Sequence, residues 1–338
     1  QSYQKNILTQ SPSENFFEVN AKQMAEEKEG VTSEDPVVQD IVDRIVQELL
    51  SETIVWSCKD GNIEKKKLLS KIENPVTNEE ILNLPENLRP QLTGSLMQVQ
   101  MNIPSYINIL NMYQMFLHGK TPEVRQQAYF LFRQGLDVLD LDDITVQIIA
   151  TNPNSMGHWL PQIAKAASAQ DFLKIPNTTI IAVPTPMLQL TRLDYVSLTR
   201  TTLDIVDQFC KEVFELDENK EYFIKTGTYS SKFDFRNAHV HGAKEVRELG
   251  EYLLFIHHQA CAMAGPTNNL CIYGVSTTNE WVVRDFIPDK ENAVCIYKGL
   301  PLHTEYRIFV DFDTKELLGS SPYWESNMMK KRFGHSKD

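Results

Sequence analysis

The sequence predicts an α+β protein with a mostly helical N-terminal region, and three observations carry that prediction. A long apolar stripe at helical spacing opens the ordered part of the chain at Val37, Val38, Ile41, Val42, Ile45, Val46, Leu49 and Leu50. A β-branched run, Thr178 to Val183, has the composition of a buried strand. From about Ile144 onward, strand-like and helix-like segments alternate. With 338 residues, 42% of them hydrophobic, the chain can bury two domains or one elaborate one.

Taken in order, residues 1–30 are polar and lack a sustained period, so they are expected to form a flexible lead-in. Ser33-Glu34-Asp35-Pro36 then signals a helix start, because capping residues are followed by a proline at the first turn. Lys65-Lys66-Lys67 is too short for a nucleic-acid patch and is expected on a solvated face. Pro75, Pro85, Pro90, Gly94 and Pro104 punctuate a connection carrying short helices. A helix from Pro104 to His118, with Ile107, Leu110, Met115 and Phe116, is expected to stop at Gly119. Thr121-Pro122 starts the next, burying Val124, Ala128, Leu131, Phe132 and Leu136, with Met112 and Met115 as core filler. Val146, Ile148 and Ile149 predict a strand, Met156 to Ala169 a helix, and about Asp194 to Leu216 a long helix. The expected segments are 1–30, a helical region over 31–143, an α/β region over 144–219 and a nucleotide-binding core over 220–338.

The charge balance, 45 acidic against 33 basic residues for a net −12, argues against a binder of duplex nucleic acid. Cys58, Cys210, Cys261, Cys271 and Cys295 are odd in number and contain no C-x-x-C pair, which predicts reduced thiols in a cytoplasmic setting. No run approaches the ~20 apolar residues of a membrane helix. The chain opens at Gln1, which predicts a processed or trimmed product.

The chemistry concentrates after residue 220. Tyr222 to Phe235 places Lys225 at the end of an apolar run, then Thr226, Gly227, Thr228, Ser230 and Ser231, then Lys232 before another β-prone pair. Backbone N–H groups and hydroxyls of such a turn suit phosphate oxygens, with a lysine on either side. The competing reading is an ordinary hairpin with a polar turn. Ala243 to Ala264 reads as a helix whose His257 belongs to the core, and His239 and His241 lack a third metal ligand. Leu270 to Val275 is a short apolar run. Asn279 to Ile287 reads as a strand that offers Glu280 and the peptide groups of Trp281, Val282 and Val283 to a purine edge. In Leu300 to Asp313, period-two alternation predicts a buried face of Tyr306, Ile308, Val310 and Phe312 opposite Glu305, Arg307, Phe309, Asp311 and Asp313. Arg307 and Asp311 then stand about 13 Å apart, a spacing for an arginine on a phosphoryl oxygen and an aspartate on magnesium. Glu316 to Gly319 is expected to return as the hairpin partner.

In this order, the lysine strand, the E-W-V-V-R strand and the E-Y-R-I-F-V-D strand resemble the ATP-grasp superfamily over roughly Tyr222 to Trp324. The similarity is to the branch with the cell-division-cycle translation-initiation assembly proteins and to small ATP-grasp ligases with an arginine-bearing hinge. It implies a two-lobed ATP-grasp-like α/β core that uses ATP and Mg²⁺ and acts through an acyl-phosphate-like intermediate on a carboxylate or amine substrate, a protein included. By resemblance, Lys225 meets the α-phosphate and base, Ser230, Ser231 and Lys232 border the phosphate-covering loop, and Glu280, Trp281, Val282 and Val283 hold adenine. Arg284 and Arg307 serve phosphates or the reacting group, with Arg307 and Lys232 as catalytic residues, and Asp311 and Asp313 bind metal. Glu325-Ser326-Asn327 departs from the family's late metal strand. Two alternatives stand beside this reading: a nucleotidyltransferase of RNA-ligase type with Lys225 as AMP acceptor, and a non-catalytic ATP-binding assembly factor.

Overall fold

A computed structural model describes residues 35–92, 111–138, 150–264 and 278–325, with omissions at 52, 69–71, 113, 151, 192, 194, 297–298 and 312, together with 327 and 331. Several expectations lie outside the described residues: the lead-in 1–30, Ile107 and Leu110, the strand at Val146 to Ile149, the run Leu270 to Val275, Phe312 and Cys271. No helix among the described residues is long and apolar enough to cross a membrane.

The α+β class holds, and its centre is an antiparallel six-stranded sheet. Its strands are β1 (Ile54–Lys59), β2 (Asn62–Lys67), β3 (Thr178–Ala182), β4 (Tyr222–Thr226), β5 (His239–Val240) and β6 (Glu280–Asp285), in the order β2-β1-β3-β6-β4-β5. β1 and β2 turn at Asp60-Gly61, both at positive φ (50° and 79°), the conformation that tight hairpin turns demand. This hairpin escaped the sequence reading; Lys65, Lys66 and Lys67 lie on its edge strand, with Lys65 and Lys67 exposed and Lys66 half-buried, as a solvated face requires. Strands from the segments 31–143, 144–219 and 220–338 join one sheet, so the expected boundaries at 143 and 219 do not divide it.

One sheet face carries Val55, Ile181, Ile224, Trp281 and Val283 against three helices, α1 (Pro36–Ser51), α6 (Arg200–Val213) and α8 (Leu249–Ala264). In α1 the stripe Val38, Ile41, Val42, Ile45, Val46, Leu49 and Leu50 is buried as its spacing predicts, while Val37 is exposed. Between them in the chain lie α2 (Asn78–Asn83), closed by a capping box of Thr77 and Glu80, then α3 (Pro122–Val138), α4 (Met156–Ala167) and α5 (Thr185–Leu190). On the opposite face, α4 packs Met156, Leu160 and Ala164 on Trp56, Cys58, Ile180 and Val282.

Several elements differ from expectation for identifiable reasons. The long helix begins at Arg200, with Thr199 as its N-cap accepting from Thr202 N–H, and a 3₁₀ turn at Tyr195–Ser197 precedes it. The helix expected over 243–264 is two, α7 (Ala243–Arg247) and α8, separated at Glu248. In α3, Ala128 and Tyr129 are buried whereas Val124 and Leu131 are exposed, and Met115 before it is exposed rather than core filler. Lys232–Asn237 is a 3₁₀ turn, not a returning strand, and the partner of β4 is β5. β7 (Cys295–Ile296) and β8 (Leu300–Pro301) pair with each other. β9 (Tyr306–Val310) and β10 (Leu317–Pro322) form the expected hairpin, but every residue of β9 is exposed, which corrects the burial predicted for Tyr306, Ile308 and Val310.

Candidate functional site

The register of the sheet decides which side chains meet. Directly paired residues in an antiparallel ladder share a face, and successive residues alternate. Val282 pairs with Lys225 on one side and Ile180 on the other, and Arg284 pairs with Phe223 and Thr178. Lys225, Glu280 and Arg284 therefore lie on the α4 side of the sheet, whereas Trp281 and Val283 lie on the helical side. Each two residues from Val282 on β6, Glu280 and Arg284 flank the row that Lys225 occupies on β4.

Lys225 and Arg284 are both partly buried. Burial, then the nearby Arg284 charge, pushes the Lys225 ammonium down to about 8, while the Glu280 charge opposes the shift. Burial also lowers Arg284, whose Nε donates to Thr178 Oγ1 at 3.2 Å, and Thr178 in turn donates to the Pro176 carbonyl. Among the described residues neither cation has a carboxylate in ion-pair contact. Desolvated charge is costly unless paired, and an anion on this face would offset that cost.

Glu280 does not fill that role, because its carboxylate is engaged elsewhere. It accepts from Gly157 N–H at 2.9 Å and from the Ser155 hydroxyl, both in the first turn of α4. Ser155, the N-cap residue, makes no side-chain cap of its own, so Glu280 caps the helix from a distant strand. The peptide groups of Trp281, Val282 and Val283 are correspondingly occupied, since β6 pairs with β3 on one edge and β4 on the other. The expected offer of these groups to a purine edge is therefore corrected: a central strand has no free edge there. Trp281 is buried and donates from Nε1 to His257 Nδ1 at 3.0 Å, which makes His257 the core histidine its spacing predicts; burial, helped by the nearby His258, lowers it to about 4 against the Thr278 backbone bond.

The loop after β4 closes on itself. Thr226 N–H donates to the Tyr229 carbonyl, and Tyr229 N–H donates to Thr226 Oγ1, each at 2.9 Å. Ser231 is buried and hydrogen-bonded to the Tyr229 side chain, and Ser230 is half-buried. Lys232 opens the 3₁₀ turn, and its side chain lies outside the described residues.

Arg307, Asp311 and Asp313 belong to the β9–β10 hairpin and its turn, a sheet separate from the six-stranded one. Arg307 lies over the Tyr323 ring at 4.5 Å to its centroid. Asp311 Oδ1 accepts from the N–H groups of Asp313 (2.9 Å) and Thr314 (2.7 Å), which hold its carboxyl below the usual range and fix the β9–β10 turn. No hydrogen bond or ion pair among the described residues joins these three to Lys225, Glu280 or Arg284. No cluster of three carboxylate, histidine or cysteine ligands occurs among the described residues. The rings of His239 and His241 lie 4.9 Å apart, and His239 meets Glu221 at 2.9 Å and stacks on Phe286.

Sequence reasoning missed Ser155, Gly157, Thr178 and Thr278. Ser155 before an apolar run signalled a helix start, but its partner lies on a strand more than a hundred residues later. No family model, curated protein or solved structure matches this chain.

Proposed function

We propose that this chain is an ATP-dependent ligase or phosphoryl transferase of ATP-grasp type, with the nucleotide phosphates received on the sheet face that carries Lys225 and Arg284. The supporting observation is that pair of partly buried cations, diagonal neighbours across β4 and β6 with no carboxylate in ion-pair contact among the described residues. In an acyl-phosphate reaction a substrate carboxylate attacks the γ-phosphate, and negative charge develops on oxygens that two fixed cations in a low-dielectric face stabilise. Mg²⁺ enters this reading with the nucleotide, and no step is assigned to it.

A second reading is supported by the Lys225 pKa. A desolvated lysine beside another cation, lowered to about 8, holds roughly a tenth of its amine neutral at pH 7, far more than an ordinary lysine, and is suited to accept AMP covalently. Intact-mass analysis after incubation with Mg-ATP and a panel of carboxylic acids and amines separates the two. ADP release without a mass change is the expected result. An AMP adduct at Lys225 would establish the nucleotidyltransferase, and tight ATP binding without ADP or AMP release would leave a binding protein.

A further inference from the structure

Three chain segments meet at Glu280 in a closed set of hydrogen bonds. Gly227 N–H donates to the Glu280 carbonyl, Met156 N–H donates to the Gly227 carbonyl, and Gly157 N–H donates to Glu280 Oε2, each at 2.9 Å. Ser155 Oγ reaches the same carboxylate oxygen and lies 2.7 Å from Thr278 Oγ1, which also accepts from Glu280 N–H at 3.1 Å. Behind the sheet the Thr278 backbone bonds the His257 ring, which is held in turn by Trp281. Because Trp281 Nε1–H can only donate, His257 Nδ1 must be the acceptor, and this fixes the ring as the neutral Nε2–H form.

The space around Glu280 confirms that the carboxylate is built in. A Cβ on Gly157 would come 2.8 Å from Glu280 Cδ, and one on Gly227 would come 2.7 Å from both Glu280 Oε2 and Thr278 Oγ1. A carboxylate at the start of the 12-residue α4 also sits where the helix dipole favours negative charge. Gly227, which the set clamps, lies two residues beyond Lys225 on the same strand end.

We propose that Glu280 is a positioning residue: its carboxylate ties the first turn of α4 to β6 while its backbone carbonyl holds Gly227 at the end of β4, so that together they set the place and charge of Lys225, and the carboxylate makes no contact with the nucleotide. This rests on the reading that Lys225 receives phosphate. The charged groups acting on Lys225 are Arg284 and Glu280, both on β6. β3 contributes no charged side chain, while α4 contributes His158, which is exposed and bonded to the Ala150 carbonyl, and Lys165 in its last turn.

Calorimetric titration with ATP and with inorganic triphosphate tests this across pH values bracketing 8, on the wild type, Glu280→Gln and Glu280→Asp. Glu280→Gln is expected to weaken both probes by the same factor, about tenfold, the scale of one charged hydrogen bond. It is also expected to move the weakening of binding to lower pH, since Lys225 loses the charge that sustains its proton. Glu280→Asp retains the charge but not the reach, so both affinities fall and the pH of weakening stays put. If Glu280→Gln does not fold, Glu280→Asp decides alone: equal losses on the two probes support the proposal. A loss confined to ATP in either variant, or no change in affinity and pH profile, overturns it. A wild type that binds neither probe overturns the phosphate reading itself, whereas a wild type that binds both beside an unaltered Glu280→Gln overturns only the role of Glu280.

Discussion

Lys225 carries a charge that the fold opposes and an anion would reward. With a value near 8 in the folded protein against 10.5 for an ordinary lysine, both states are protonated below pH 8 and the folded state bears the cost of the buried charge. Between pH 8 and 10.5 the unfolded chain holds more protons, so stability rises with pH through that window. Urea denaturation of the wild type is expected to show this rise and Lys225→Met to lack it. Phosphate affinity should run the other way, falling as pH increases through about 8 and the ammonium is lost, which titration calorimetry would read. At the same scale, Gly227→Ala forces a methyl against Glu280, Thr278 and Ser155 and is expected to cost about 1–3 kcal/mol by overpacking. Gly319→Ala, with nothing within 4 Å, is the control and should stay within about 0.5 kcal/mol by the same measurement.

At the scale of elements, α6 and α8 are joined by a buried ionic network. Arg200 bonds Asp204 at 2.8 Å, Asp207 at 3.2 Å and Glu251 at 2.5 Å, and Tyr195 donates to the other Glu251 oxygen at 2.7 Å. Glu251 is fully buried, and burial raises Asp207 well above the ordinary carboxylate range. Arg200→Ala would leave these carboxylates without their cation, and a loss of about 3–5 kcal/mol in denaturant unfolding is expected. Spacing puts Arg200, Asp204 and Asp207 on one face of α6, and it is α8, through Glu251, that closes over them. The α1 stripe was legible because its burial follows from local spacing. The β1–β2 hairpin was not, because Val55, Trp56 and Cys58 become a buried strand only by pairing with β3. For the site, Lys225, Arg284 and Glu280 were legible as residue types on strands. That Glu280 turns to a helix start far earlier in the chain was not, because no local pattern encodes that contact.

At the scale of the molecule, a six-stranded antiparallel sheet separates a helical core on one face from α4, Lys225 and Arg284 on the other. One edge is β2, whose lysines discourage pairing with another chain, and the other is the two-residue β5. The β9–β10 hairpin, with Arg307 over Tyr323, is a sheet of its own. The central claim is that the Lys225–Arg284 face receives the phosphates of a nucleotide, and its most direct test is thermal unfolding with and without Mg-ATP in the wild type, Lys225→Met and Arg284→Met. At a hundredfold excess over Kd, ligand should stabilise the wild type by about 2.7 kcal/mol. The account predicts that this stabilisation disappears in both variants while their unliganded melting temperatures do not fall. Equal stabilisation of all three proteins by Mg-ATP, or none in the wild type, would contradict it.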